Sequence, residues 1–177
     1  MKSKAEVRRC VRMLIKEIPV EAKDNRSAHI CATVAALDAV RSARVVALFS
    51  PLPDEPDISQ LIVELSERCT VLLPRIEGDS MNFYEYNPDR LSAGAFGIME
   101  PVDGTAVSPS EIDAMVVPGL AFTVAGQRMG RGRGYYDKYL SLMGFRAYKI
   151  GVCYSEQLFD MLPCEPHDII MDKVVTG

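Results

Sequence analysis

In KAEVRRCVRMLIKEI the apolar residues Val7, Val11, Leu14 and Ile15 recur every three to four positions, with Lys4, Arg8, Arg9, Arg12 and Lys16 around the rest of the turn. This period predicts an amphipathic, basic amino-terminal helix. A second helix is expected across AKDNRSAHICATVAALDAV, followed by ARVVALF as a buried strand of β-branched and apolar residues. SPLPDEPD holds three prolines in eight residues, so residues 50–57 should be stiff, extended and non-helical. ISQLIVELSERC reads as a helix and TVLLP as a strand, a β-α-β alternation that favours a right-handed parallel crossover. MNFYEY alternates like a half-exposed antiparallel strand. Residues 87–112, rich in Pro, Gly, Asp and Ser, read as a long ordered loop or a short excursion. AMVVPG, AYKIGVCY and IIMDKVVT are three further strands. The pattern predicts an α/β fold: a single domain over residues 1–177, with a central, mostly parallel sheet flanked by helices on both faces. No repeat, low-complexity tract or linker-like shift interrupts it.

Composition narrows the function classes. A chain of 177 residues with 48% apolar and 25% charged residues can bury a core without disulfides or metals. The net charge of −4 lacks the footprint of a general nucleic-acid binder, so any anion site must be focused. The five cysteines, Cys10, Cys31, Cys69, Cys153 and Cys164, form no C-x-x-C pair and read as reduced, mostly buried residues. No apolar segment follows the charged start, and no uncharged run reaches the ~18 residues of a membrane span. A cytoplasmic location, with no membrane partner, is the simplest reading.

The chemistry concentrates in GQRMGRGRGYYDKYL, residues 126–140. A strand, a glycine-rich loop and a helix is an arrangement in which backbone N–H groups and the helix dipole bind phosphate. The text matches neither the Walker loop nor the dinucleotide fingerprint. Its arginines can grip phosphate oxygens with two donors each. Asp137 would repel an anion unless a cation lay between them, and Mg²⁺ binds one or two carboxylates together with substrate phosphates. Asp168, ahead of the last strand, is a candidate second carboxylate. Lys4 and Arg8, four apart, share one helix face and could present two cations to one ligand. Asp54 and Glu55 are carboxylates pre-positioned beyond a strand end, where open α/β sheets bind ligands. Plainer readings stand beside these: a solvated helix face, an acidic turn, solvated strand flanks. For the loop itself the rivals are an RNA-contacting Gly-Arg segment with tyrosines for stacking, and a purely structural turn.

VPGLAFTVAGQRMGRGRGYYDKYL resembles the signature of 5-formyltetrahydrofolate cyclo-ligases, also called methenyltetrahydrofolate synthetases. The likeness extends in order to the basic first helix, LPDEPD, FGIMEP, IGVCYSEQ and HDIIMD. It implies closure of 5-formyltetrahydrofolate to 5,10-methenyltetrahydrofolate with ATP as co-substrate, Mg²⁺ as cofactor, and release of ADP and phosphate. The expected partners are ATP and 5-formyltetrahydrofolate, with no nucleic acid, for a chain expected to be a monomer. Carried over position by position, Lys4, Arg8, Arg128, Met129, Gly130, Arg131, Gly132, Arg133, Gly134, Tyr135 and Tyr136 match ATP-contacting positions. Ser50, Glu55, Arg131, Gly132, Arg133, Gly134 and Tyr135 match the folate side, with Glu55 at the pterin end. Arg128 and Tyr135 match positions in the chemistry, and Asp137 and Asp168 match the magnesium carboxylates.

Three positions depart from the family text: Thr123 stands where Asp is usual, Met129 where Leu is, and Lys138 where Arg is frequent. Met for Leu nearly conserves volume. Lys for Arg matters only at a bidentate contact. Thr123 removes a negative charge beside the loop and leaves room for altered loop order, metal affinity or substrate choice. Two alternatives follow: an ATP-dependent ligase acting on another folate or pterin-like compound, and a nucleotide- or RNA-binding module without turnover.

Overall fold

The computed structural model describes residues 3–94, 97–163, 165 and 168–177. Cys164 lies outside them, as do parts of the FGIMEP and HDIIMD neighbourhoods. The elements follow the hydrophobic pattern closely. Helix α1 spans Lys4–Glu17 and starts in a capping box, with Ser3 and Glu6 exchanging side-chain and backbone hydrogen bonds. Helix α2 runs Val20–Ala36, then Leu37 turns extended and a short α3 covers Asp38–Arg41. The single second helix expected from sequence is therefore broken at Leu37. Strand β1 (Val45–Ala47), helix α4 (Ser59–Ser66) and strand β2 (Thr70–Glu77) form the predicted parallel β-α-β unit.

Strand β3 (Ser80–Glu85) returns antiparallel to β2, as its alternation foretold. The excursion over residues 87–112 contains a small hairpin, β4 (Leu91–Ala93) with β5 (Met99–Pro101). Strand β6 (Ala114–Val117) is followed by a two-rung hairpin, β7 (Ala121–Phe122) with β8 (Arg128–Met129). Helix α5 (Tyr135–Leu140) and strands β9 (Tyr148–Cys153) and β10 (Lys173–Thr176) complete the chain.

The main sheet runs β10-β9-β6-β1-β2-β3, parallel except for β3. Period-2 alternation sorts its side chains. Val46, Leu48, Val71, Leu73, Val116 and Val152 pack against Ile30 and Val34 of α2 and Leu61 and Leu65 of α4. Ala47, Leu72, Met115, Val117 and Cys153 face the other way, onto Phe122, Tyr139, Leu140 and Met171. Fully burying each aliphatic side chain contributes about 1.5–3 kcal/mol. Helices thus lie on both faces, although the second face is covered by only the short α5 and by loops. Helix α1 does not pack on the sheet. Its stripe of Val7, Val11 and Ile15 buries against Leu120, Ala121, Met129 and Tyr154.

The crossover from β1 goes to β2 on one side, while β6 lies against β1 on the other. The carboxyl ends of β1 and β6 therefore flank a topological switch point, where the diverging loops leave a crevice.

Candidate active site

A cavity of about 450 Å³ occupies that crevice. Phe49 and Ser50 after β1, and Pro118 and Gly119 after β6, form its base, and Ile76 and Met81 of the β2-β3 ribbon supply an apolar wall. Ser50, Glu55, Arg128, Gly130, Arg131, Arg133, Gly134, Tyr135, Tyr136 and Asp137 all line it. Most of the residues singled out from sequence, spread over 88 positions of chain, thus meet in one place.

Loop 50–57 is held rigidly enough to present its carboxylates. The Tyr154 hydroxyl donates to the Glu55 carbonyl at 3.1 Å, and the Asp57 N–H donates to the Ser27 hydroxyl at 3.0 Å. The Ser50 hydroxyl donates to the Met99 carbonyl at 2.6 Å, tying the loop to β5. Glu55 is only 7% exposed. One carboxylate oxygen accepts from Arg131 Nε at 3.0 Å and the other from the Leu52 N–H at 3.0 Å. Burial pushes its pKa up, with the Arg131 charge opposing that rise. Arg131 also grips Asp54 through both terminal nitrogens, at 2.6 and 3.1 Å. One guanidinium therefore joins the acidic loop to the glycine-arginine loop.

Arg128 is more deeply buried than Arg131, 7% exposed. It donates to the Pro118 carbonyl at 3.0 Å and to Asp137 at 2.9 Å, and its guanidinium lies 5.6 Å from the centre of the Tyr136 ring. Its Nε has no partner among the described residues. A buried donor left unpaired costs about 1–3 kcal/mol, a cost that ligand sites bear until the ligand arrives. Tyr135 lines the cavity and donates to the Gly78 carbonyl at 3.3 Å, which ties α5 to the β2-β3 turn.

Five predicted residues lie off the cavity lining. The Met129 side chain, 3% exposed, packs under α1, so that position can offer a ligand only its backbone. Met in place of Leu is accommodated there as core. Arg8 Nε donates to the Gly130 carbonyl at 2.9 Å, and its guanidinium sits beside Gly132. Lys4 pairs with Asp168 at 3.1 Å and Glu165 at 3.3 Å. The shared face of Lys4 and Arg8 is therefore no solvated surface: it braces the loop at one point and the Asp168 segment at another.

The sequence reading needs two corrections here. The loop before α5 is not one open phosphate cradle, because its first part is the β7-β8 hairpin and Arg128 is a strand residue. Helix α5 has six residues and is preceded by Gly134 at its N-cap, whose φ of 71° is left-handed. So short a helix contributes little dipole, and an anion held here would have to rely on the arginines and loop N–H groups. Thr123, 2% exposed, accepts the Gln127 N–H at 3.1 Å and closes the β7-β8 turn. A carboxylate can make the same bond, so the two residue types share a local structural task. Gly126, at φ 88°, completes the turn, and a Cβ there would overlap the Met171 carbonyl.

Two supporting residues lie in IGVCYSEQ, a stretch noted in the sequence only for its likeness to the family and given no role there. Gln157 is fully buried; its amide donates to the Gly119 and Leu120 carbonyls, both at 3.1 Å, and accepts the Tyr154 N–H at 2.8 Å. It fixes the chain just beyond β6 and the Tyr154 that anchors Glu55. No local signal marks their supporting role, because the groups they hold lie 37, 38 and 99 positions away.

The model of the 5-formyltetrahydrofolate cyclo-ligase family matches residues 1–177. A 5-formyltetrahydrofolate cyclo-ligase of Mycolicibacterium smegmatis is 30% identical over 184 residues, covering 99% of this chain and 94% of the relative. The Escherichia coli K12 protein of the same name is 34% identical over 145 residues, or 76% and 78% of the two chains. Among solved structures, the 5,10-methenyltetrahydrofolate synthetase of Aquifex aeolicus superposes with a TM-score of 0.89 at 36% identity, covering 98% of this chain and 89% of its own. Matched by the family model over its whole length and 30% identical to a relative across 99% of its residues, this chain belongs to the 5-formyltetrahydrofolate cyclo-ligase family.

Proposed function

We propose that the protein, acting over residues 1–177 as one domain and as a monomer, closes 5-formyltetrahydrofolate to 5,10-methenyltetrahydrofolate in the cytoplasm, converting ATP to ADP and phosphate. The observation that carries this is the meeting of an acidic loop and an arginine loop over one apolar cavity at the sheet's carboxyl edge. The apolar wall suits a flat heterocycle, and buried Glu55 suits the N–H donors of a pterin.

The formyl group is amide-like, and its oxygen leaves poorly as it stands. In this reading the formyl oxygen attacks the γ-phosphorus, ADP departs, and N10 adds to the activated carbon. The C–O bond then breaks to release phosphate, and loss of the N10 proton leaves the methenyl bridge. The chain's task is alignment and charge balance, the main contributions available in phosphoryl transfer. Arg128 and Arg133 line the cavity where the transferring group would lie, and Arg8 and Lys4 extend the positive edge along α1. Tyr135 packs against the reacting end. Gly130, Gly132 and Gly134 let the backbone approach the phosphates.

In this reading Asp137, on the cavity, and Asp168, off its lining, are the carboxylates that would hold Mg²⁺, an ion that takes one or two carboxylates together with substrate phosphates. Each already faces a cation, Arg128 and Lys4 respectively, and no group of three metal-binding side chains exists among the described residues. Mg²⁺ held there would supply charge neutralisation for the phosphates.

Two observations weigh against the rival readings. Thr123, the reason to consider another pterin-like substrate, closes a turn and does not line the cavity. Arg128 and Arg131 are committed to ion pairs with Asp137, Asp54 and Glu55, an arrangement unsuited to reading RNA. The test is purified protein with Mg²⁺, ATP and 5-formyltetrahydrofolate. The expected result is the methenyl chromophore with one phosphate per turnover, and absence of the chromophore would overturn the reading.

A further inference from the structure

Glu100 is the cavity residue whose burial the fold does not explain. It is the middle residue of β5, 7% exposed, and it lines the cavity on the side contributed by the β4-β5 hairpin. A buried carboxyl is costly to desolvate unless paired or fully hydrogen-bonded. Glu55 meets that condition, with Arg131 on one oxygen and a backbone N–H on the other. Glu100 does not: its one hydrogen bond among the described residues is a long one, 3.4 Å, from the Ile76 N–H. Its second oxygen lies beside Gly94, where any Cβ would overlap the carboxyl, so the hairpin leaves space for this group. Arg75 is the nearest cation to favour its charge, but that guanidinium is spent on Glu77 at 2.6 Å and stacks over the Tyr84 ring at 3.7 Å. Burial raises the Glu100 pKa, consistent with a carboxyl awaiting a partner.

An ionised carboxylate offers about four acceptor sites, and one weak bond from Ile76 leaves most of them unused. A bare structural role, capping the Ile76 N–H, would be served by any short polar residue on the surface. We propose that Glu100 is a substrate-contacting residue of the folate cavity, accepting a hydrogen bond from an N–H donor of the reduced pterin and thereby setting affinity for that ring. This rests on the proposed function for the identity of the ring. It also gives the excursion over residues 87–112 a purpose: its hairpin carries Ile98 and Glu100 to the cavity.

Charge-assisted hydrogen bonds of this kind are worth about 10- to 100-fold in affinity. The test is equilibrium binding of 5-formyltetrahydrofolate by calorimetry to wild type, Glu100→Ala and Glu100→Gln, with ATP binding measured in parallel and folding checked by circular dichroism. The expected result is a loss of about tenfold or more in folate affinity for Glu100→Ala. Glu100→Gln, which keeps an acceptor oxygen and the side-chain shape, should lose less, and ATP affinity should stay unchanged in both. Unchanged folate affinity in a folded Glu100→Ala, or equal losses for folate and ATP, would overturn the proposal. Should Glu100→Ala fail to fold, Glu100→Gln decides by the same comparison, and full wild-type folate affinity in a folded Glu100→Gln would then overturn the proposal. A wild type that binds the folate without turning it over would sink the cyclo-ligase reading and leave the Glu100 contact standing.

Discussion

Replacing Gln157 by Glu changes the chemistry of one buried atom while keeping the side chain's volume. Oε1 can still accept the Tyr154 N–H, but the Nε2 that donates to the Gly119 and Leu120 carbonyls becomes an oxygen facing two oxygens. Two hydrogen bonds are lost at about 1 kcal/mol each, and an uncompensated charge is buried, so at pH 7 the variant should be about 3–5 kcal/mol less stable. At about 2–4 °C per kcal/mol for a domain of this size, Tm falls by roughly 6–20 °C. The loss should depend on pH with a definite sign. Burial against carbonyls raises the new carboxyl's pKa in the folded state above its ordinary value of about 4.3. A group with a raised folded value contributes stability below its unfolded pKa and loses it as pH rises through the folded one. Protonation also restores one O–H donor. Thermal denaturation of both proteins from pH 5 to 8 should therefore show a Tm gap that widens as pH rises. A constant gap, or one under about 2 °C throughout, would refute the claim that this amide is a donor pair holding residues 119 and 120.

Other expectations follow from the same contacts. Thr123→Val removes the acceptor that closes the β7-β8 turn and should cost about 1 kcal/mol, whereas Thr123→Asp should keep turnover, since both side chains can accept the Gln127 N–H; melting curves and assays separate these outcomes. Hydrogen bonds from Asn82, then Arg75 and Tyr84, hold the Glu77 pKa down at about 2, so its stabilising contribution is present above the usual carboxylate range and lost as pH falls toward 2. Glu77→Gln should accordingly differ from wild type at pH 7 and converge with it near pH 2 in denaturant titrations. Asp137→Asn and Arg128→Ala should lower kcat by about 100-fold or more with the circular dichroism spectrum unchanged, and near wild-type rates in either would remove the proposed roles.

The glycine-arginine loop was legible because its residue types are chemically unusual together. The β7-β8 hairpin inside it was not, since two-residue strands are too short to show a period, and Phe122 and Met129 read as loop although they are core. The break at Leu37 was hidden in a run of good helix formers. Glu55 was visible through its proline-stiffened loop, whereas Glu100 looked like one acidic residue in an irregular stretch.

By itself the sequence determined the order of the longer helices and of the main-sheet strands, their buried faces, and the likeness to the family, because local periodicity and a dense signature survive without knowledge of what touches what. Only the tertiary structure decided that Arg131 joins Asp54 and Glu55, that Gln157 and Tyr154 hold the site from beneath, and that Thr123 is a turn residue. The physical reason is range. Hydrophobic patterning acts within a turn or a strand, but a buried polar group is stable only where distant chain segments supply its partners.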